Sequence, residues 1–298
     1  MIPRWTPLLK FAHNSAHSCA QDGLHIDNGP NQAGFAGGND PPSIETYASI
    51  DDSGNPRQVT IGADYRPVSN PTALAIANWE LYSNLRHVEA VFESFTAWKC
   101  RNRAVWTRNS YVTFTHARFA DNAIGITFAT NGGLGVMKNC IMVGQTPNVG
   151  VVSSSQNNSG NYDWIDGVPG TYRTIPKSAS YPIRGYEFYD GPNELRNCRF
   201  YNFRPSERRN ASAISMLRQD QFSIAPTNRA EQVVVDGVTQ MLNFQDFVHD
   251  GDKASVFIDM DGSITGRPPV GDNKAVVTKR HPFFWTSSCV DPGIGSVQ

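Results

Sequence analysis

The chain has 298 residues, of which 39% are hydrophobic and 18% charged, and its formal net charge is −1. That balance suits a packed domain and excludes a globally basic nucleic-acid binder, so no nucleic-acid partner is expected. No run reaches the ~18 consecutive apolar residues of a membrane helix, while 25 Gly and 19 Pro point to frequent turns between short strands.

In chain order, Met1 to Pro7 lacks the apolar core of a signal peptide. Read alone, this suggests a cytosolic protein; the alternative is a piece cut from a longer secreted chain. A first unit follows, His17-Ser18-Cys19-Ala20-Gln21-Asp22-Gly23-Leu24-His25. His13, His17 and His25 have spacings that would suit a metal face on a helix, but the segment reads as strand and turn. They are candidate bases or ligands, with a structural role as the alternative.

Residues 29–90 read as a first insertion, containing the only helix-like stretch, Thr72 to His87. The unit then recurs from Trp98 to Trp106 and from Phe119 to Thr127, 21 residues apart. Met137-Lys138-Asn139-Cys140-Ile141-Met142 likewise resembles Leu195-Arg196-Asn197-Cys198-Arg199-Phe200, and Phe119 and Met142 are 23 residues apart. A period of this size, with Asn or Gly at corners, fits one coil of a parallel β-helix, in which stacked coils bury a column that one coil cannot. A β-sandwich is the alternative. Residues 144–180 read as a second insertion, with Ser153 to Gly160 polar throughout, and 264–298 as a less regular end of one domain spanning 1–298.

Five cysteines and no CxxC pair argue against a cysteine zinc site. Cys19 and Cys100 hold equivalent places in two units, as do Cys140 and Cys198, so each pair is expected to stack. Coil spacing of ~4.8 Å lies within disulfide range, yet parallel inward Cβ vectors disfavour the torsion. Cys289 is expected to be free or paired outside the chain.

Between Lys99 and Arg118 stand five basic residues and no acidic one, interleaved with Trp98, Trp106 and Tyr111. Stacking would gather these on a lateral face that reads an acidic polymer; a solvated turn is the alternative. A second cluster holds Arg196, Arg199, Arg204, Arg208 and Arg209, with Glu207 alone as counter-charge. Asp259-Met260-Asp261-Gly262-Ser263 echoes the start of a calcium loop but lacks the Glu at its twelfth position, so a turn capped by Asp is the alternative. Asn157 and Asn210 open glycosylation sequons, usable in a secreted chain.

Several motifs together resemble one family. They are Ile26-Asp27-Asn28-Gly29, Phe119-Ala120-Asp121-Asn122-Ala123-Ile124-Gly125, Tyr181-Pro182-Ile183-Arg184-Gly185 with Tyr189-Asp190-Gly191-Pro192, and Asp250-Gly251-Asp252-Lys253 leading to Asp259-Met260-Asp261-Gly262-Ser263. In this order they are similar to the family of cell-migration-inducing hyaluronan-binding proteins and cell-surface hyaluronidases, and more distantly to fibrocystin-like proteins.

The resemblance implies an all-β, right-handed parallel β-helix, an extracellular or cell-surface location, and missing domains of the same parent protein as partners. It implies a hyaluronan-depolymerising glycosidase, with a non-catalytic carbohydrate-binding or structural β-helix as the alternative. Glycoside hydrolysis needs two carboxyls ~5–9.5 Å apart; β-elimination instead needs a cation at the uronate and a base. Candidate catalytic residues are Asp27, Asp121, Asp190 and His25. Candidate substrate-binding residues are Trp98, Lys99, Arg101, Arg103, Trp106, Arg108 and Arg184. Asp250, Asp252, Asp259 and Asp261 are the candidate ligands of calcium, the one cofactor considered.

Overall fold

The computed structural model describes residues 6–26, 46–50, 56–60, 67, 69, 88–109, 111–144, 146, 150–151, 171–172, 182–189, 191–205, 210–216, 225–239, 241–243 and 256–278. Successive stretches of chain stack as parallel coils, each contributing a strand to three faces, here A, B and C. Coil 1 consists of β1 (Phe11–Ala12), β2 (Ser15–His17) and β3 (Asp22–Ile26). A separate antiparallel hairpin, β4 (Thr46–Ile50) and β5 (Pro56–Thr60), follows within the first insertion. Coil 2 holds β6 (Ala90–Glu93), β7 (Thr96–Trp98) and β8 (Arg103–Asn109). Coil 3 holds β9 (Val112–Thr115), β10 (Arg118–Ala120) and the first half of β11 (Ile124–Lys138).

The second half of β11 opens coil 4, which continues through β12 (Ile141–Val143). The small antiparallel pair β13 (Gly150–Val151) and β14 (Thr171–Tyr172) lies off the ladder, and β15 (Ile183–Phe188) completes the coil. Coil 5 is β16 (Gly191–Arg196), β17 (Arg199–Tyr201) and β18 (Ala211–Met216); coil 6 is β19 (Arg229–Glu231), β20 (Val234–Asp236) and β21 (Leu242–Asn243). β22 (Val256–Asp259) adds a last strand to face A, and β23 (Ala275–Thr278) pairs with it antiparallel. The fold is thus a parallel β-helix, as the repeat predicts. Among the described residues there is no helix, and Thr72 to His87 lies outside them.

One alignment needs correcting by a residue. On face C the 21-residue offset holds, since Arg103 pairs Ile124 and Trp106 pairs Thr127. On face B, Trp98 pairs Ala120 while Phe119 pairs Ala97. Four residues, 99–102, turn the corner in coil 2 where three, 121–123, do so in coil 3, and the extra residue restores the register.

Face B is short because left-handed residues bracket it. His13, Ser94, His116, Asn139, Asn197 and Gln232 stand between faces A and B, and Ser18, Lys99, Asp121 and Asn202 between B and C, all with φ of 46–57°. Each bends the chain sharply, and its N–H still bonds to the neighbouring coil, as in His116 N–H to Lys138 O at 3.2 Å. Asparagine tolerates this conformation better than most residues. Asn197 Nδ2 also donates to Asn139 Oδ1 at 2.8 Å, so this ladder runs along the outside of the corner. Inside, Asn122 Oδ1 accepts from Cys100 N–H at 2.9 Å and its Nδ2 donates to Ala97 O at 2.9 Å.

The interior is a column of aromatic rings. Phe92 stacks on Phe114 with centroids 4.8 Å apart, Phe114 meets Phe128 at 5.9 Å, and Phe188 stacks on Phe257 at 5.6 Å. On face C two consecutive residues turn inward. The first position in each coil is small: Gly23, Ala104, Gly125, Gly185 and Ala213; the second is Leu24, Val105, Ile126, Tyr186 and Ile214. Space dictates this, since a Cβ on Gly125 would sit 2.4 Å from Gly185 O and one on Gly185 would sit 2.5 Å from Ala213 O.

The cysteine pairs stack as the repeat predicts. His17 pairs Trp98 two residues before Cys19 and Cys100, and Ile141 pairs Arg199 one residue after Cys140 and Cys198. All four are free thiols. Burial, with Cys19 stacked beside it, pushes Cys100 up to about 12, and burial beside Cys140 also raises Cys198. Cys289 lies outside the described residues.

Candidate functional site

The paired inward residues of face C leave the flanking positions, three apart, pointing outward together. Two outward rows result. One runs Asp22, Arg103, Ile124, Arg184, Ser212 and the other His25, Trp106, Thr127, Glu187, Ser215, Asn243. A connected polar and aromatic surface crosses these rows. Asp22 Oδ2 lies 2.8 Å from His25 Nδ1, and Asp22 Oδ1 accepts from Asn102 Nδ2 at 2.8 Å. The His25 ring stacks above Trp106 at 6.3 Å, and the Arg103 guanidinium lies over the same indole at 4.7 Å. Arg103 Nε donates to Thr127 Oγ1 at 2.7 Å, and Thr127 Oγ1 donates in turn to Glu187 Oε2 at 2.7 Å. Arg184 closes the chain of contacts with an ion pair to Glu187. Tyr189 meets Trp106 edge-on at 5.6 Å and lies under Arg108 at 5.8 Å.

The surface grades from open to sealed. The His25 side chain is 55% exposed, whereas Arg184 and Glu187 are 4% and 0% exposed. A buried charge pair survives only with good geometry and further hydrogen bonds, and Thr127 supplies one of them.

Of the residues singled out by sequence, His25, Arg103, Trp106, Arg108 and Arg184 converge here. Trp98 faces outward on face B instead, stacked on His17 at 4.7 Å. Lys99 forms the neighbouring corner, and Arg101 N–H bonds to Cys19 O at 2.9 Å just beyond it. Asp121 sits in the next corner along, where its carboxylate accepts from Thr146 N–H at 2.8 Å and from Thr146 Oγ1 at 2.6 Å. It thereby anchors the chain as it leaves for the second insertion. Asp27, Asp190, Asp250 and Asp252 lie outside the described residues, as do Arg208 and Arg209. Arg196 belongs to a separate ion-pair network on face A with Glu194, Arg229 and Glu231.

Asp259 and Asp261 make a capped turn at the end of the stack. Asp259 is buried and accepts from Gly262 N–H at 3.0 Å, Thr265 N–H at 2.8 Å and Thr265 Oγ1 at 2.7 Å. Asp261 accepts from Ser263 N–H at 3.0 Å and Gln232 N–H at 2.8 Å. Burial alone would raise the Asp261 pKa, but the hydrogen bonds from Ser263 and Gln232 outweigh it and hold the carboxyl below its ordinary value. Carboxylates ringed by N–H donors are poorly placed for a cation, so these two fit the capped-turn alternative better than a calcium site.

Asp22, Thr127, Glu187 and Tyr189 were not selected from the sequence. A signal for three of them exists within the aligned units. Asp22 and His25, Arg103 and Trp106, Ile124 and Thr127, and Arg184 and Glu187 all share a spacing of three that no regular strand would place on one face.

Coils and site together define a parallel β-helix with a polar, aromatic-bearing lateral face. Its relatives are specific. The chain is 31% identical over 279 residues to the cell migration-inducing and hyaluronan-binding protein of Mus musculus, covering 88% of this chain and 18% of that protein. It is 30% identical over 282 residues to a cell surface hyaluronidase of Homo sapiens, covering 89% and 18%. A cell surface hyaluronidase of Danio rerio is 26% identical over 300 residues, covering 96% and 19%. The chain is a homologue of these proteins and spans less than a fifth of their length. No protein-family model matches it.

Proposed function

We propose that this chain is the polysaccharide-engaging β-helix of an extracellular or cell-surface, hyaluronan-depolymerising glycosidase, and that the polymer lies along face C. The observation that carries this reading is the convergence of Trp106, Arg103, Arg108, His25 and Asp22 on one outward surface. Hyaluronan carries a carboxylate on every second sugar. Trp106 supplies a ring for a sugar face, while Arg103 and Arg108 supply positive charge for the uronates. Asp22 orients His25 through Nδ1, and an imidazole so held at an exposed position is suited to exchange a proton with substrate. The names of the relatives, hyaluronan-binding protein and cell surface hyaluronidase, support the same substrate.

A second reading is binding without cleavage. The observation favouring it is that Glu187 and Asp22 are each held by two side-chain partners. Incubation with size-defined hyaluronan, with and without calcium, separates the readings. Shorter saturated chains indicate hydrolysis, unsaturated ends indicate elimination, and retention without shortening indicates binding alone. Simultaneous replacement of Arg103 and Arg108 by Ala is expected to weaken binding at least about tenfold at low salt, with the difference shrinking as salt screens exposed charges. Equal affinity of both proteins would place the polymer elsewhere.

A further inference from the structure

Face B is the open side of the stack. On faces A and C the outward side chains Thr113, Glu194, Thr127 and Glu187 are buried, whereas on face B every outward side chain is exposed or half-exposed. Its two outward rows differ in chemistry. One carries Arg118, Ile141 and Arg199 in register on coils 3, 4 and 5, and all three are exposed. Neither guanidinium has an ion pair or a side-chain hydrogen bond among the described residues. The other row runs from Trp98 through Ala120 and Val143 to Tyr201, a low floor between two aromatic side chains. His17 stacks on one side of the Trp98 ring at 4.7 Å, and the next residue in the row, Ala120, is too small to cover the other side. Lys99, at the corner beside Trp98, adds positive charge, and the one carboxylate of the face, Asp236, stands past Tyr201 on coil 6.

We propose that face B is a second binding surface for an acidic polysaccharide, separate from face C and laid out for a chain charged on alternate sugars; the choice of hyaluronan as that polymer rests on the function proposed above. Two unpaired guanidinium groups select an anion, and arginine holds carboxylates through paired N–H donors. The floor between Trp98 and Tyr201 offers apolar surface to a sugar ring. Spacing then matches the polymer. Arg118 and Arg199 stand two coils apart, roughly 10 Å along the stack. An extended β-linked sugar chain advances by about one coil spacing per ring, so successive uronates fall at Arg118 and Arg199 and the uncharged sugar between them falls at Ile141. The long arginine stems reach whichever flank of the polymer a carboxylate occupies. Faces B and C are different walls of the stack, joined by the corner at 99–102, so one straight stretch of polymer does not lie on both. The chain therefore holds two stretches at once, and a long polymer gains avidity that a short one lacks.

Calorimetric titration of the whole chain with a hyaluronan hexasaccharide counts the sites. The parent should bind two hexasaccharides, the Arg118→Ala plus Arg199→Ala variant one, at face C, and the Arg103→Ala plus Arg108→Ala variant one, at face B. Because Arg118 and Arg199 are exposed and unpaired, their replacement should leave the melting temperature at the parent's value. High-mass hyaluronan, which engages both faces at once, should be held at least about tenfold less tightly by either variant. An unchanged site count in the Arg118 and Arg199 variant overturns the face B surface and leaves the reading of face C standing. A single site in the parent, lost with Arg118 and Arg199 and indifferent to Arg103 and Arg108, supports face B and removes the polymer from face C. No hexasaccharide binding at all overturns both. Retention on phosphatidylserine vesicles that depends on Arg118 and Arg199, without any binding of hexasaccharide, would make face B a membrane contact and likewise overturn the proposal.

Discussion

Cys100 and Cys198 illustrate how far burial, with a second thiol stacked alongside, can tune a side chain. Only the thiolate attacks thiol reagents, and both groups are held protonated well above the ordinary thiol value. Neither is expected to react with an aromatic disulfide reagent at pH 8 in the folded chain, and both should react after unfolding, as peptide mass mapping would show. The linkage sign follows. The raised pKa of Cys100 contributes stability that is complete below about 9 and lost as pH rises towards about 12. Asp261 acts in the opposite sense: its lowered pKa contributes stability above the ordinary carboxyl range, lost as pH falls through the folded value. Replacing Asp261 by Ala should cost about 1 kcal/mol, the usual loss for a cap. Replacing Asp259 should cost about 3 kcal/mol, because buried N–H groups lose their acceptor. Equal losses in urea unfolding would contradict this contrast.

Among elements, face C depends on its column of small residues. Gly125→Val would drive side-chain atoms into the backbone of β15, and Gly185→Ala would press on Ala213 O and the Phe200 ring. Both are expected to destabilise by at least about 2 kcal/mol, through overpacking that backbone cannot relieve; a change below 0.5 kcal/mol in chemical denaturation would show that the coils can separate locally. The same strands show how much of the molecule was legible beforehand. Coil length was readable because Asn139 with Cys140, and Asn197 with Cys198, mark equivalent corners. The face B register departs by one residue from the 21-residue offset because corner lengths vary between coils, and local sequence does not reveal how many residues a corner takes. The site was half legible. Arg103, Trp106 and Arg108 stood out as a basic, aromatic run, but Asp22 and Glu187 join it only through a shared irregularity, two inward residues in succession, that a strict alternation pattern hides.

At the scale of the whole stack, each coil bonds only to its neighbours, so stability accumulates coil by coil. The inward residues of coil 1, Phe11, Ala16 and Leu24, are half-buried, whereas their counterparts Phe114, Phe119 and Ile126 in coil 3 are buried. Amide exchange is therefore expected to be fastest in β1 to β3 and slowest in β9 to β12 and β15; uniform protection along the stack would mean a single all-or-none unit. The exit at Gly144 and the return at Ile183 carry a further consequence. Coil 4 leaves the ladder on face B and rejoins it in register on face C, and both β12 before the exit and β15 after the return are held by strands of other coils. Covalent continuity across this gap is thus not what holds the halves together. A protease site introduced near residue 160 should yield, after cutting, two fragments that elute as one species and separate only in denaturant. Expressed as two polypeptides, the halves should find each other, which would make the association of one with the other a direct readout of whether the ladder has formed.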